Sequence, residues 1–98
     1  MLKLDRKFQL KVYKTARARG QWDNGFLGSA KHLSGEVLEV VNAYTYPSDY
    51  SDVTHGVGLE LADVVLNALS IAEYLEIDLS ECIKEKQLIN EERADNGK

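Results

Sequence analysis

The sequence predicts an all-α domain, a four-helix bundle that oligomerises. Two observations carry this. Apolar residues recur at three- and four-residue steps through most of the chain, and only one proline, Pro47, interrupts it. A third is size: 98 residues make at most one domain, and its core is thin enough that association with further copies would relieve it. The reading is a single domain over residues 1–98, with its core at about 4–93 and a frayed tail at 94–98.

The first helix is expected over residues 4–19, with Phe8, Val12 and Ala16 at four-residue steps and Gly20 as its stop. Residues 21–28, QWDNGFLG, read as a loop from their Asp, Asn and Gly content. Ser29 then caps a second helix over 30–44, whose apolar face is Leu33, Val37, Val40, Val41 and Tyr44. Residues 45–56 hold the proline and are rich in Ser, Asp and Tyr. A connection of this length between helices suggests a functional loop. A third helix is expected over 57–75, with Leu61, Val64, Ala68, Ala72 and Leu75 as its stripe. The fourth begins at Asp78, where Asp78 and Glu81 have capping-box spacing, and continues to about Arg93. There is no internal repeat and no low-complexity tract.

Composition narrows the function classes. No continuous apolar run approaches the ~18 residues of a membrane span, and the N-terminal residues mix charge with apolar side chains rather than forming a signal peptide. Cys82 is the only cysteine, which removes an intrachain disulfide and a cysteine-based metal site. These features point to a cytoplasmic protein with no membrane partner. The net charge of −4 argues against a general nucleic-acid binder. It leaves nucleotide substrates open, because a bound cation inverts the field of a carboxylate cluster.

Two carboxylate pairs stand out. Glu36 and Glu39 lie three residues apart, and Glu60 and Asp63 repeat the spacing on the next helix, both pairs amid Val and Leu. Three helical residues turn through about 300°, so each pair shares one face. Four acids on two apolar helices are costly without cations. An all-oxygen set suits Mg²⁺, with Mn²⁺ as substitute. The competing readings are solvent-facing acids and a di-iron site. The latter wants Glu-x-x-His, and neither His32 nor His55 follows a glutamate at that spacing. On the last helix Lys86, Asn90 and Arg93 form a cationic face able to meet phosphates, or simply to complement the helix dipole.

Together these features resemble the MazG-like nucleotide pyrophosphohydrolase family. Glu36-x-x-Glu39, 20 intervening residues, Glu60-x-x-Asp63 and then Lys86-x-x-x-Asn90-x-x-Arg93 follow its pattern. The stretch from ELADVVLNALS to ECIKEK is similar to it, and ARARGQWDNG resembles its ARG-x-WD segment. The resemblance spans about residues 16–93. It implies hydrolysis of nucleoside triphosphates to monophosphate and pyrophosphate in a homodimer or homotetramer. It further implies Mg²⁺ on Glu36, Glu39, Glu60 and Asp63, one of which activates water, and phosphate contacts from Lys86 and Arg93 supported by Asn90. The sequence departs from the pattern at residues 45–56, which contain no Lys or Arg where some members carry one; His55 is the only candidate cation there.

Further candidates are Asn67, one turn after Asp63, for the sugar or base, and Trp22, for base stacking or as a staple between the first two helices. His32 lies one turn before Glu36. Tyr44, Tyr46 and Tyr50 suit a pocket or a subunit interface. A non-catalytic helical module that dimerises or binds a nucleotide or partner is the alternative function.

Overall fold

The computed structural model describes residues 2–47 and 53–95, and the described residues are helical with no strand. Four helices follow in order: α1 (Arg6–Ala18), α2 (Gly25–Thr45), α3 (Val53–Tyr74) and α4 (Leu79–Asp95). The expected all-α class and helix count are observed. Residues 48–52, with Tyr50, and the tail at 96–98 lie outside the described residues.

Asp5 starts α1: its Oδ1 accepts from the Phe8 N–H at 2.9 Å, which satisfies one orphan donor of the first turn. Gly20 ends it as expected. At φ +78° it takes the left-handed conformation. The Gln21 N–H then bonds the Ala16 carbonyl at 3.0 Å and the Gly20 N–H bonds Arg17 at 3.0 Å, the paired bonds of a Schellman motif.

The second helix differs from expectation. It begins at Gly25, so residues 25–28 are its first turn rather than loop, and Asn24 occupies the N-cap position. Ser29 is not a cap. It is 6% exposed inside the helix, and its hydroxyl donates to the Gln21 carbonyl at 3.2 Å. Tertiary contact overrides the local signal here, because Phe26 stacks near Tyr74 with centroids 6.3 Å apart.

The third helix starts earlier than expected, at Val53, which places His55 in its first turn and shortens the connection after Thr45. By length and composition alone, Thr54–Tyr74 could cross a membrane, with a mean hydropathy of 1.2. Glu60 and Asp63 sit within it and would be expensive in lipid. Its packing against both α1 and α2 makes it the central helix of this fold.

A second Schellman motif ends α3. The Ile77 N–H bonds Ala72 at 2.8 Å and the Glu76 N–H bonds Glu73 at 3.0 Å. Here the left-handed residue is Glu76, at φ +58°, where a side chain carries a strain of about 1–2 kcal/mol.

The core is small: Ala16, Trp22, Leu69 and Ala72, joined by the buried polar residues Gln9, Ser29 and Ser70. The Trp22 indole lies 4.3 Å from the Tyr74 ring in a stacked pair and edge-on to Tyr13 at 5.6 Å. Its N–H donates to Ser70 Oγ at 2.9 Å. The expected apolar faces of α2 and α3 are only partly covered within one chain: Leu33, Val40, Val64 and Ala68 are half-buried, while Val37, Val41, Tyr44, Leu61 and Leu75 are exposed.

Only α1, α2 and α3 form a packed unit, with α3 against both others. Helix α4 has no buried residue and no extensive packing on the rest. The bundle within one chain is therefore three helices and an arm. The radius of gyration is 15.6 Å, against about 13 Å for a compact chain of this length. The exposed surface is 7492 Å², against roughly 5,600 Å² for a compact monomer.

Candidate metal centre

Packing of α2 on α3 brings Glu36 to Glu60 and Asp63. Their carboxylates offer oxygens that all lie within 4.8 Å of one another. Glu36 and Glu60 are half-buried and Asp63 is exposed. Glu39, exposed on α2, does not belong to this tight set, yet its charge acts on Glu60. Burial first, then Asp63, Glu36 and Glu39, push the Glu60 carboxyl above its ordinary value of 4.5. Among the described residues, the charges that shift Glu60 are all carboxylates.

This donor set fits a hard divalent cation. It offers oxygens only, closely spaced and mutually repelling, and a cation removes the repulsion that raises Glu60. His32 stands beside the set, its Nε2 3.1 Å from Glu36 Oε1. The imidazole orients that carboxylate from the preceding turn.

Two depressions are each lined in part by the acids. One, of about 530 Å³, is lined on α2 by Lys31, His32, Glu36 and Glu39. The other, of about 230 Å³, lies between α1 and α3 and is lined by Lys11, Arg19, Gln21, Asp63 and Asn67 over apolar side chains such as Phe8 and Leu66. Asn67 therefore lies beside the acids, as its spacing suggests, and its Nδ2 donates to the Asp63 carbonyl at 2.8 Å. Lys11 and Arg19 were not legible as site residues, since they fall in a helix rich in cations. Arg19 lies inside the ARARGQW segment, the one signal for it, and Lys11 carries none.

The structure separates the remaining candidates from this cluster. Trp22 is 8% exposed, with its N–H committed to Ser70, so it takes the packing role. Lys86, Asn90 and Arg93 are exposed on α4. Among the described residues no ion pair joins Lys86 or Arg93 to an acid, and neither contributes to the charge around Glu60. Tyr44 and Tyr46 point outward, at 74% and 77% exposure, which suits an interface better than a closed pocket.

No family model matches the sequence, and no curated protein or solved structure matches it either.

Proposed function

We propose that this chain is a Mg²⁺-dependent nucleoside triphosphate pyrophosphohydrolase, as its motif resemblance implies. The observation that carries the reading is the convergence of Glu36, Glu60 and Asp63, with Glu39 adjacent, from two largely apolar helices. Glu36, Glu60 and Asp63 would hold Mg²⁺, or Mn²⁺ in its place. The ion supplies Lewis-acid polarisation of a phosphoryl group and lowers the pKa of a bound water.

The chain's own residues do the rest. Glu39, outside the tight set, would be free to take the proton from the attacking water, and Glu36, Glu60 and Asp63 would hold the ion. The water oxygen bonds to phosphorus, the bridge between the α- and β-phosphates breaks, and pyrophosphate leaves. Lys11 and Arg19, in the cleft shared with Asp63, are placed to meet phosphate oxygens, and Gln21 and Asn67 to bond the sugar or base. This work belongs in the cytoplasm, where nucleotide pools are kept, and a lone exposed Cys82 suits a reducing compartment.

Assembly belongs to the same reading. The surplus surface, roughly 1,900 Å² over a compact monomer, matches or exceeds what a standard interface removes from each partner. The exposed Val37, Val41, Tyr44 and Leu61 supply its apolar part. In a homodimer or homotetramer, α4 of one copy would bring Lys86, Asn90 and Arg93 to the acids of another. Sedimentation at micromolar concentration is expected to show a dimer or tetramer; a stable monomer would contradict this.

The second reading, a non-catalytic dimerising module, rests on that exposed surface alone. Pyrophosphate release decides between them. A panel of ribo- and deoxyribonucleoside triphosphates with Mg²⁺ should yield monophosphate and pyrophosphate, with loss of release on chelation. No release from any member with Mg²⁺ or Mn²⁺ would leave the binding module.

A further inference from the structure

We propose that Gln9 is a positioning residue that sets the direction in which α4 leaves the core, and with it the placement of Lys86, Asn90 and Arg93. The functional half of this inference rests on the catalytic reading above. The structural half does not.

Gln9 is a polar side chain on the inward face of α1, 1% exposed, and three of its bonds reach the α3–α4 corner. Its Nε2 donates to Glu73 Oε1 at 3.0 Å and to the Ile77 carbonyl at 2.7 Å. Its Oε1 accepts from the Leu79 N–H at 3.2 Å. One amide thus grips the end of α3, the linker and the first residue of α4. Leu79 N–H is one of the orphan donors that open a helix, so Gln9 caps α4 from another element.

The anchor is itself held. Arg6 Nε donates to Glu73 Oε1 at 2.6 Å and its Nη2 to Oε2 at 3.2 Å, a two-pronged contact that fixes the carboxylate beneath Gln9. That contact, with the Gln9 bond, holds the Glu73 carboxyl below its ordinary value. Glu76, in its left-handed conformation, makes the sharp turn that Gln9 then locks.

Little else fixes α4. From Ser80 onward no hydrogen bond or ion pair among the described residues reaches α1, α2 or α3. A helix of 17 residues is about 26 Å long, so a small change of angle at Leu79 moves Arg93 by several ångströms. Gln9 lies far along the chain from the residues it would position, which is why no motif reveals it.

The test reads α4 directly. Spin labels go on cysteines introduced by Glu92→Cys at the far end of α4 and Lys14→Cys on the outer face of α1, in a Cys82→Ser background, with labelled chains diluted into unlabelled ones so that only distances within a chain are read. The parent should give one narrow distribution. Gln9→Met, which keeps the volume and removes every hydrogen bond, should broaden or shift it while the Trp22 environment stays native by near-ultraviolet circular dichroism. Leu79→Pro, tolerated at the first position of a helix, removes only the N–H that Gln9 Oε1 accepts from and leaves both Nε2 bonds in place. It should give an intermediate result, and it decides the matter if Gln9→Met does not fold. An unchanged narrow distribution in the folded variant overturns the proposal. In turnover, Gln9→Met should raise KM about tenfold, the effect of a weakened charged contact, with kcat preserved. A fall in kcat with constant KM would overturn the positioning role. If no pyrophosphate is released even by the parent, the catalytic reading fails, and the distance distributions still decide what Gln9 does.

Discussion

Glu60→Gln is expected to abolish most turnover while making the protein more stable. Glu60 is one of the two half-buried members of the acid set, and Asp63, Glu36 and Glu39 all act on it. The amide keeps the shape but removes a charge from the cation's ligand set. Turnover should fall steeply and in parallel with metal affinity, because Glu60 would be a ligand of the ion that polarises the phosphoryl group. Stability moves the other way, because the folded state carries Glu60 with its pKa raised above 4.5. A carboxyl with a raised folded pKa binds protons more readily when folded, so the parent loses stability as pH rises from the ordinary value through the raised one. The Gln variant escapes that loss. Its advantage in metal-free denaturant titrations should be present at neutral pH and vanish below about pH 4, under the ordinary value for Glu. Saturating Mg²⁺ should narrow the gap by stabilising only the parent. A variant that keeps full activity, or that loses activity and melts earlier at neutral pH, contradicts the metal centre.

The acids were legible because a three-residue spacing fixes a shared face whatever the packing. The pairing of Glu36 with both Glu60 and Asp63 follows once two such helices lie side by side. What spacing could not give is the rotation of α2 about its own axis. That rotation brings Glu36 into the set and leaves Glu39 outside it. The cations show the limit more sharply. Lys86, Asn90 and Arg93 share a face by the same arithmetic, but the sequence does not say whether that face meets the same chain or another.

Helix ends were legible where a single residue type is demanded. Gly20 had to be the stop of α1, because the left-handed position costs a side chain strain, whereas Glu76 fills the same position at the end of α3 with no signature. The start of α2 misled for the converse reason. Asp23, Asn24, Gly25 and Gly28 favour turns locally, and the contact of Phe26 with Tyr74 draws residues 25–28 into the helix. Gln9 carried a weak signal: it shares a helix face with Tyr13 and Ala16, an amide on an inward stripe. A buried amide needs partners, and these lie more than sixty residues away in sequence.

Trp22 gives the largest stability effect expected. It is the largest side chain of the buried core, stacked on Tyr74, edge-on to Tyr13 and bonded to Ser70. Trp22→Ala removes the ring and leaves a cavity among α1, α2 and α3, a loss of about 3–5 kcal/mol. A domain this small has little more than that to lose, so the variant should be largely unfolded at 37 °C. Trp22→Phe separates the contributions. It keeps much of the packing but leaves the Ser70 hydroxyl, 4% exposed, without its donor, and should cost about 1–3 kcal/mol. Adding Ser70→Ala should recover part of that loss, since removing both partners is cheaper than removing one, and the two residues touch and so should not be additive. Denaturant midpoints at constant slope measure each step. The same series separates packing from nucleotide stacking at Trp22. If Trp22 only packs, activity in Trp22→Phe follows the folded fraction and KM is unchanged. A Trp22→Phe protein as stable as the parent but with weakened nucleotide binding would instead place the ring against the base.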